Sequence, residues 1–234
     1  MSCSNIKRKI FIHLHIPKCG GTSILKYLRN CFGSCLSITN NSTGTDFQYS
    51  SDHVQKILQS NAKLRCLSGH SLSLDLPFYD DNFNTTAITW IRNPIDRFIS
   101  HYFYHRNHTN LVPQAKKLDM DNYITWALDE GQVQSYINGQ CRFLSRDRDI
   151  DKIVQACKNK NLFLFPLDNT DTSFNILNTL WSDTFKKIKP QHINVSKKDQ
   201  SVTQEQRERI QQHVKKDEKL LEIAHKNIQT LNTR

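Results

Sequence analysis

Two stretches of this sequence carry residues able to hold an anion, and a third carries a candidate base. Lys18-Cys-Gly-Gly-Thr-Ser23 sets a cation, two glycines and two hydroxyls side by side. Gly20 and Gly21 let the backbone turn sharply and approach a ligand closely. When a helix follows, such a loop gathers backbone N–H groups at a positive helix end, a site for phosphate or sulfate, and Lys18 adds a mobile cation. It is not the Walker A pattern, because the lysine precedes the glycines. The same residues also fit an ordinary tight strand-to-helix turn. The second stretch is Arg92-Asn-Pro-Ile-Asp-Arg-Phe-Ile-Ser100. Arg92 and Ser100 can reach one anion if the helix carrying Ser100 packs over the first loop; taken alone they read as an exposed arginine and a neutral helix serine. The third is Gly69-His70, at the tail of an apolar run, where α/β proteins place function. Imidazole titrates near neutral pH, so His70 is equally a base or a packing histidine. His15, close to the first loop, is a weaker second candidate.

These side chains need rigid elements to hold them. Ile10 to Ile16 is an apolar run that reads as a buried strand, and Pro17 ends its ladder for want of an N–H. Thr22 and Ser23 stand where a helix begins, with Ile24, Leu25 and Leu28 as its apolar face. Short strands are expected at Cys35 to Ile38 and Lys63 to Leu67, with a short helix at Asp52 to Leu58. After a loop from Phe78 to Thr85, the β-rich run Thr86 to Ile91 leads into Arg92. Pro94 suits the first turn of the next helix, whose stripe is Ile95, Phe98, Ile99, Tyr102 and Phe103. Further helices are expected at Leu118 to Leu128, Asp149 to Lys158 and Asp171 to Trp181, with a strand at Asn161 to Leu167. From Thr203 the chain reads as one charged helix, its stripe Ile210, Val214, Leu221, Ala224, Ile228 and Leu231 interrupted by Asp217. Strands alternating with helices imply a three-layer α/β fold with a mostly parallel central sheet flanked by helices. No repeat or second boundary is visible, so residues 1–234 are expected to form one domain, with 1–9 a frayed lead-in and 203–232 a helical segment packed on it.

Composition narrows the partners without choosing among them. The 234 residues hold 32 Lys and Arg against 22 Asp and Glu, a net charge of +10, which favours an anionic ligand. No apolar run approaches a transmembrane helix and the N-terminus has no signal-peptide core, which predicts a soluble, cytoplasmic protein unless an anchor lies outside this sequence. Seven cysteines form no C-x-x-C and no zinc quartet, so free thiols and no metal are expected. Net charge alone is too little to predict a nucleic-acid partner.

Ile16-Pro-Lys-Cys-Gly-Gly-Thr-Ser23 resembles the 5′-phosphosulfate loop of sulfotransferases that use 3′-phosphoadenosine 5′-phosphosulfate (PAPS), and the lead-in Phe11-Ile-His-Leu-His15 is similar to that of carbohydrate sulfotransferases of the heparan-sulfate 2-O/6-O type and their microbial relatives. Cys19 stands where those loops more often carry Thr. Arg92-Asn-Pro-(x)2-Arg97-(x)2-Ser100-(x)-Tyr102 is similar to the family's 3′-phosphate motif, in which the first Arg and the Ser bind that phosphate; Asn93 replaces the commoner Asp. Gly69-His70 matches the family's Gly-His, whose histidine serves as base. Asn138, Gln140 and Arg142 fall in a segment near nucleotide and acceptor, while Pro166 to Asp168 departs from the family pattern. Asn194, Ser196 and Lys197 resemble a segment that closes over the nucleotide.

The resemblance implies a P-loop-like sheet and sulfuryl transfer from PAPS to a carbohydrate hydroxyl, releasing 3′-phosphoadenosine 5′-phosphate (PAP) without a metal. It implies His70 as base, Lys18 as charge stabiliser, and Lys18, Cys19, Gly20, Gly21, Thr22, Ser23, Arg92, Ser100, Asn194, Ser196 and Lys197 around the nucleotide. His101 and His105 have the spacing of a zinc pair but no third ligand, and are expected on the surface or facing a glycan. The runner-up is a non-catalytic binder of sulfated glycan or nucleotide on the same scaffold. A P-loop kinase fits less well, because no Walker A or magnesium ligand is present.

Overall fold

The structure is a computed structural model that describes residues 7–39, 51–76, 83–186 and 201–232. The apolar lead-in forms β1 (Arg8–Leu14), and Pro17 and the glycines turn the chain into α1 (Gly21–Phe32). β2 (Leu36–Thr39), α2 (Ser51–Ser60) and β3 (Cys66–Gly69) follow, with β3 three residues further along than its apolar residues suggest. β4 (Phe83–Ile91) starts three residues before the predicted Thr86 and leads into α3 (Pro94–His108). Two short helices come next, α4 (Gln114–Lys117) and α5 (Met120–Ile124), the second widening into a π turn over Thr125–Asp129. The rest is α6 (Gly139–Leu144), α7 (Ile150–Lys158), β5 (Leu162–Pro166), α8 (Thr170–Leu180), α9 (Gln204–Gln212) and α10 (Lys215–Asn232).

Among the described residues the strands make one five-stranded sheet in the order β2-β3-β1-β4-β5, and every pairing is parallel. A parallel sheet carries helices on both faces, so its strands are buried on both sides. In β1 the alternation is visible residue by residue. Ile10, Ile12 and Leu14 pack with α2, α6, α7 and α10, whereas Phe11 points the other way into Ile24, Leu28, Phe174 and Phe185. A third apolar cluster joins Phe98, Tyr102, Tyr123, Tyr136, Ile210 and Val214 beyond the sheet, and it anchors α3 against α5 and α9.

Caps set several boundaries. Asn93 accepts from Asp96 N–H at 3.0 Å with Pro94 in the first turn, Asp119 rather than Asp121 caps α5, and Asp149 caps α7. Thr203 and Gln206 form a reciprocal capping box that starts α9. The single C-terminal helix read from the stripe is two helices. The chain breaks at His213, and Asp217 opens α10 with a buried carboxylate instead of spoiling an apolar seam. At α8 the N-cap position is Asn169, and no side chain there bonds the helix.

Candidate functional site

β1, β3 and β4 end on the same edge of the sheet, at Leu14, Gly69 and Ile91. The chain leaves β1 toward one side of the sheet and β4 lies on the other, so the loops after these strands flank a switch point, where open α/β sheets bind ligands.

The first loop is held in an unusual backbone path. Lys18 has φ 65° and Gly20 φ 75°, both left-handed, around an extended turn that Cys19 closes with a 3.3 Å bond from its N–H to the Ile16 carbonyl. Gly20, not Thr22 or Ser23, occupies the N-cap position of α1. Ile24 N–H is the first to close the helical ladder, on the Gly20 carbonyl, so the Gly21 and Thr22 amides precede it and point out of the helix end. Glycine is required at position 21: a Cβ there would sit 1.7 Å from His15 Nε2.

The two sequence stretches meet. Arg92 Nη1 donates to the Lys18 carbonyl at 3.1 Å, and Arg97 Nε, from the first turns of α3, donates to the Pro17 carbonyl at 3.1 Å. The Lys18 ammonium lies 4.0 Å from the centre of the Tyr104 ring. Partial burial and the Arg92 charge lower its pKa to about 8. Ser100 is buried on the second turn of α3, one turn before Tyr104.

The histidines form a stack. His13 and His15 are 5.2 Å apart, and His15 and His70 are 3.9 Å apart, centre to centre. His13 bonds the Ser68 hydroxyl at 2.8 Å, and burial brings its pKa to about 3. His15 is pushed to about 2, mainly by burial, and its Nδ1 has no partner among the described residues. His70 is exposed, and its Nδ1 lies 2.7 Å from the His15 carbonyl. A carbonyl only accepts, so Nδ1 carries the proton and Nε2 keeps its lone pair. Crowding against its neighbours lowers the His70 pKa, and the bond to the His15 carbonyl opposes that shift.

Gln140 and Asp217 lock the two loops. Gln140 is fully buried; its Oε1 accepts from Arg92 N–H at 2.9 Å and from the Cys19 thiol at 3.2 Å, and its Nε2 donates to the Arg92 carbonyl at 2.8 Å. Asp217 accepts from the Gln140 and Cys141 amides at 2.9 and 2.8 Å, while Asn138 Oδ1 accepts from Lys216 N–H at 2.8 Å. The first turns of α6 and α10 therefore cap each other. Burial raises the Asp217 pKa, with Arg97 and the two amides pulling it back.

The Sulfotransferase family profile matches residues 6–229. This chain belongs to the sulfotransferase family. Its fold is similar to the crystal structure of a sulfotransferase from Alicyclobacillus acidocaldarius, with a TM-score of 0.56 and 12% identity over 97% of this chain and 100% of that one. No curated protein matches the sequence.

In this sulfotransferase the fold brings together Lys18, Cys19, Gly20, Gly21, Thr22, Arg92 and, one stack away, His70. Asn194, Ser196 and Lys197 lie outside the described residues. Cys19 is buried, its thiol pushed up to about 11 by burial, and its side chain faces Gln140. The surface position expected for His101 and His105 is corrected: they are 8% and 7% exposed, stacked on each other, and His101 packs on Tyr136. Tyr136, in the loop before α6, covers His101, and the His105 Nδ1 lies 2.8 Å from the Thr109 hydroxyl just past the helix end. Neither Gln140 nor Asp217 carries a local signal of its role, since each works through partners 48 to 121 residues away. Among the described residues no group of His, Cys, Asp and Glu could hold a metal, and no helix is long and apolar enough to cross a membrane. The six described cysteines are free thiols.

Proposed function

We propose that this sulfotransferase moves a sulfuryl group from PAPS to a hydroxyl of a carbohydrate, in the manner of the heparan-sulfate 2-O/6-O enzymes it resembles. The observation that carries the reading is the Arg92 to Lys18 bond, which brings the two candidate anion-binding stretches side by side. Their surroundings also suit a bisphosphate nucleotide. Arg97 Nη2 and the His101 ring nitrogens are buried without partners among the described residues, and the spare Arg97 N–H and the one N–H of the neutral His101 ring are donors suited to an anion.

Lys18, the Gly21 and Thr22 amides and the α1 end hold the 5′ side; Arg92 and Ser100 hold the 3′-phosphate, the guanidinium exchanging the Lys18 carbonyl for phosphate oxygens. The bound donor supplies an activated sulfur and a phosphate leaving group. His70 Nε2 takes the proton of the acceptor hydroxyl as its oxygen bonds to sulfur and the bond from sulfur to the bridging oxygen breaks. Lys18 and the loop amides face the charge that grows on the departing phosphate.

The test is thermal stabilisation by PAP against AMP and ATP, with transfer from labelled PAPS to N-sulfated heparosan, chondroitin and a simple phenol. PAP should stabilise most, by linkage, and a glycan should take the label. His70→Ala should keep PAP binding and lose roughly 10²–10⁴ in turnover. Equal stabilisation by AMP sinks the donor assignment; PAP binding with no labelled acceptor favours a non-catalytic binder.

A further inference from the structure

Tyr104 is one of three large apolar side chains exposed among the described residues, at 37%. It sits four positions after Ser100 on α3, hence on the same helix face and one turn further out from the loop. His105 and His108 contact it at 5.4 and 5.8 Å between ring centres. The Lys18 ammonium, 4.0 Å from its centre, covers the ring. The negative face of the ring attracts a cation, which explains the position of the Lys18 ammonium. A Lys18 that turns to a donor phosphate, as proposed above, leaves the ring.

We propose that Tyr104 is an acceptor-binding residue whose ring is covered by Lys18 until the donor arrives, and that it then receives the C–H face of the acceptor sugar. The inference rests on the donor and acceptor assigned above. Donor binding draws Lys18 inward and leaves an aromatic face bare beside the loop that holds the 5′ side of the donor. The polarised C–H bonds of a pyranose suit the same negative ring face that held the ammonium. Acceptor affinity then depends on donor-site occupancy, and by reciprocity acceptor strengthens donor binding.

The experiment compares wild type, Tyr104→Phe and Tyr104→Leu. PAP affinity is measured by calorimetry, and transfer kinetics use whichever glycan the panel above identifies. The ring contact is worth roughly a five-fold factor in equilibrium, so Tyr104→Leu should bind PAP roughly five-fold tighter, and its acceptor KM should rise with kcat little changed. Tyr104→Phe should match wild type in both. The lysine ε-CH₂ proton signals, shifted upfield by the ring in the free protein, should return to their ordinary position when PAP is added. Unchanged PAP affinity in Tyr104→Leu overturns the resting position of Lys18; unchanged acceptor KM overturns the acceptor role; weaker PAP binding means the ring holds the nucleotide base instead. Wild type that fails to bind PAP refutes the donor reading itself, an outcome separate from all three.

Discussion

Replacing Gln140 by Leu tests whether one buried amide holds the two loops together. The substitution keeps the size of the side chain, so little cavity term enters. It strips the Arg92 N–H and carbonyl of partners at 2.9 and 2.8 Å, in part-buried bonds made by a fully buried Gln140 side chain. An unsatisfied buried backbone group costs about 1–3 kcal/mol, and part-burial puts this pair toward the low end, a loss of about 3 kcal/mol. The Cys19 thiol is a weak donor and adds little. Against a typical total of about 5–15 kcal/mol the variant still folds, and with a urea slope near the top of the usual range, about 3 kcal/mol/M, its midpoint drops by about 1 M. PAP affinity should fall with it, because the Arg92 backbone is no longer fixed beside the Lys18 loop. Gln140→Glu sharpens the test: the protonated acid can donate to the Arg92 carbonyl, whereas the carboxylate repels it. Its deficit relative to wild type should therefore shrink as pH falls toward the ordinary Glu value of about 4.3. A loss below 1 kcal/mol in Gln140→Leu, with PAP binding intact, would show that Arg92 is held by something else.

Other consequences follow from the same contacts. Gly21→Ala drives a methyl into His15 Nε2 and should cost about 1–3 kcal/mol; urea titration of Gly21→Ala/His15→Ala should reveal recovery, and strictly additive losses would contradict the clash. The pH profile of kcat/KM should rise with an apparent pKa below 6.5, where His70 loses its proton, and fall near 8, where Lys18 loses its own. Lys18→Arg should remove the falling limb, and its persistence would assign that limb to another group. Acid should unfold the protein early. His13 and His15 have folded pKa values of about 3 and about 2, below the unfolded 6.5, so the stability they confer is complete above 6.5 and declines as pH falls. Each proton withheld costs about 1.36 kcal/mol per pH unit, so urea titrations at pH 6.5 and 4.5 should differ by up to about 5 kcal/mol; a flat result would mean these rings are hydrated.

What the sequence determined by itself was local. The Ile10 to Ile16 run, Pro17, the glycine pair, Pro94 and the Asp and Asn caps act on neighbours within a turn or a strand, so element types and the two strand-loop-helix turns were readable from residue order. The apolar run that opens with Ile10, Phe11 and Ile12 announced a buried strand. The tertiary structure decided everything that depends on distance along the chain. It placed Arg92 on Lys18, set His70 over His15, turned the His101 and His105 stripe inward, and made Gln140 and Asp217 the clasp of the cleft. A buried amide or carboxylate has no period and no neighbour to declare it. Its role exists only once the fold brings a backbone N–H from another element within 3 Å of it.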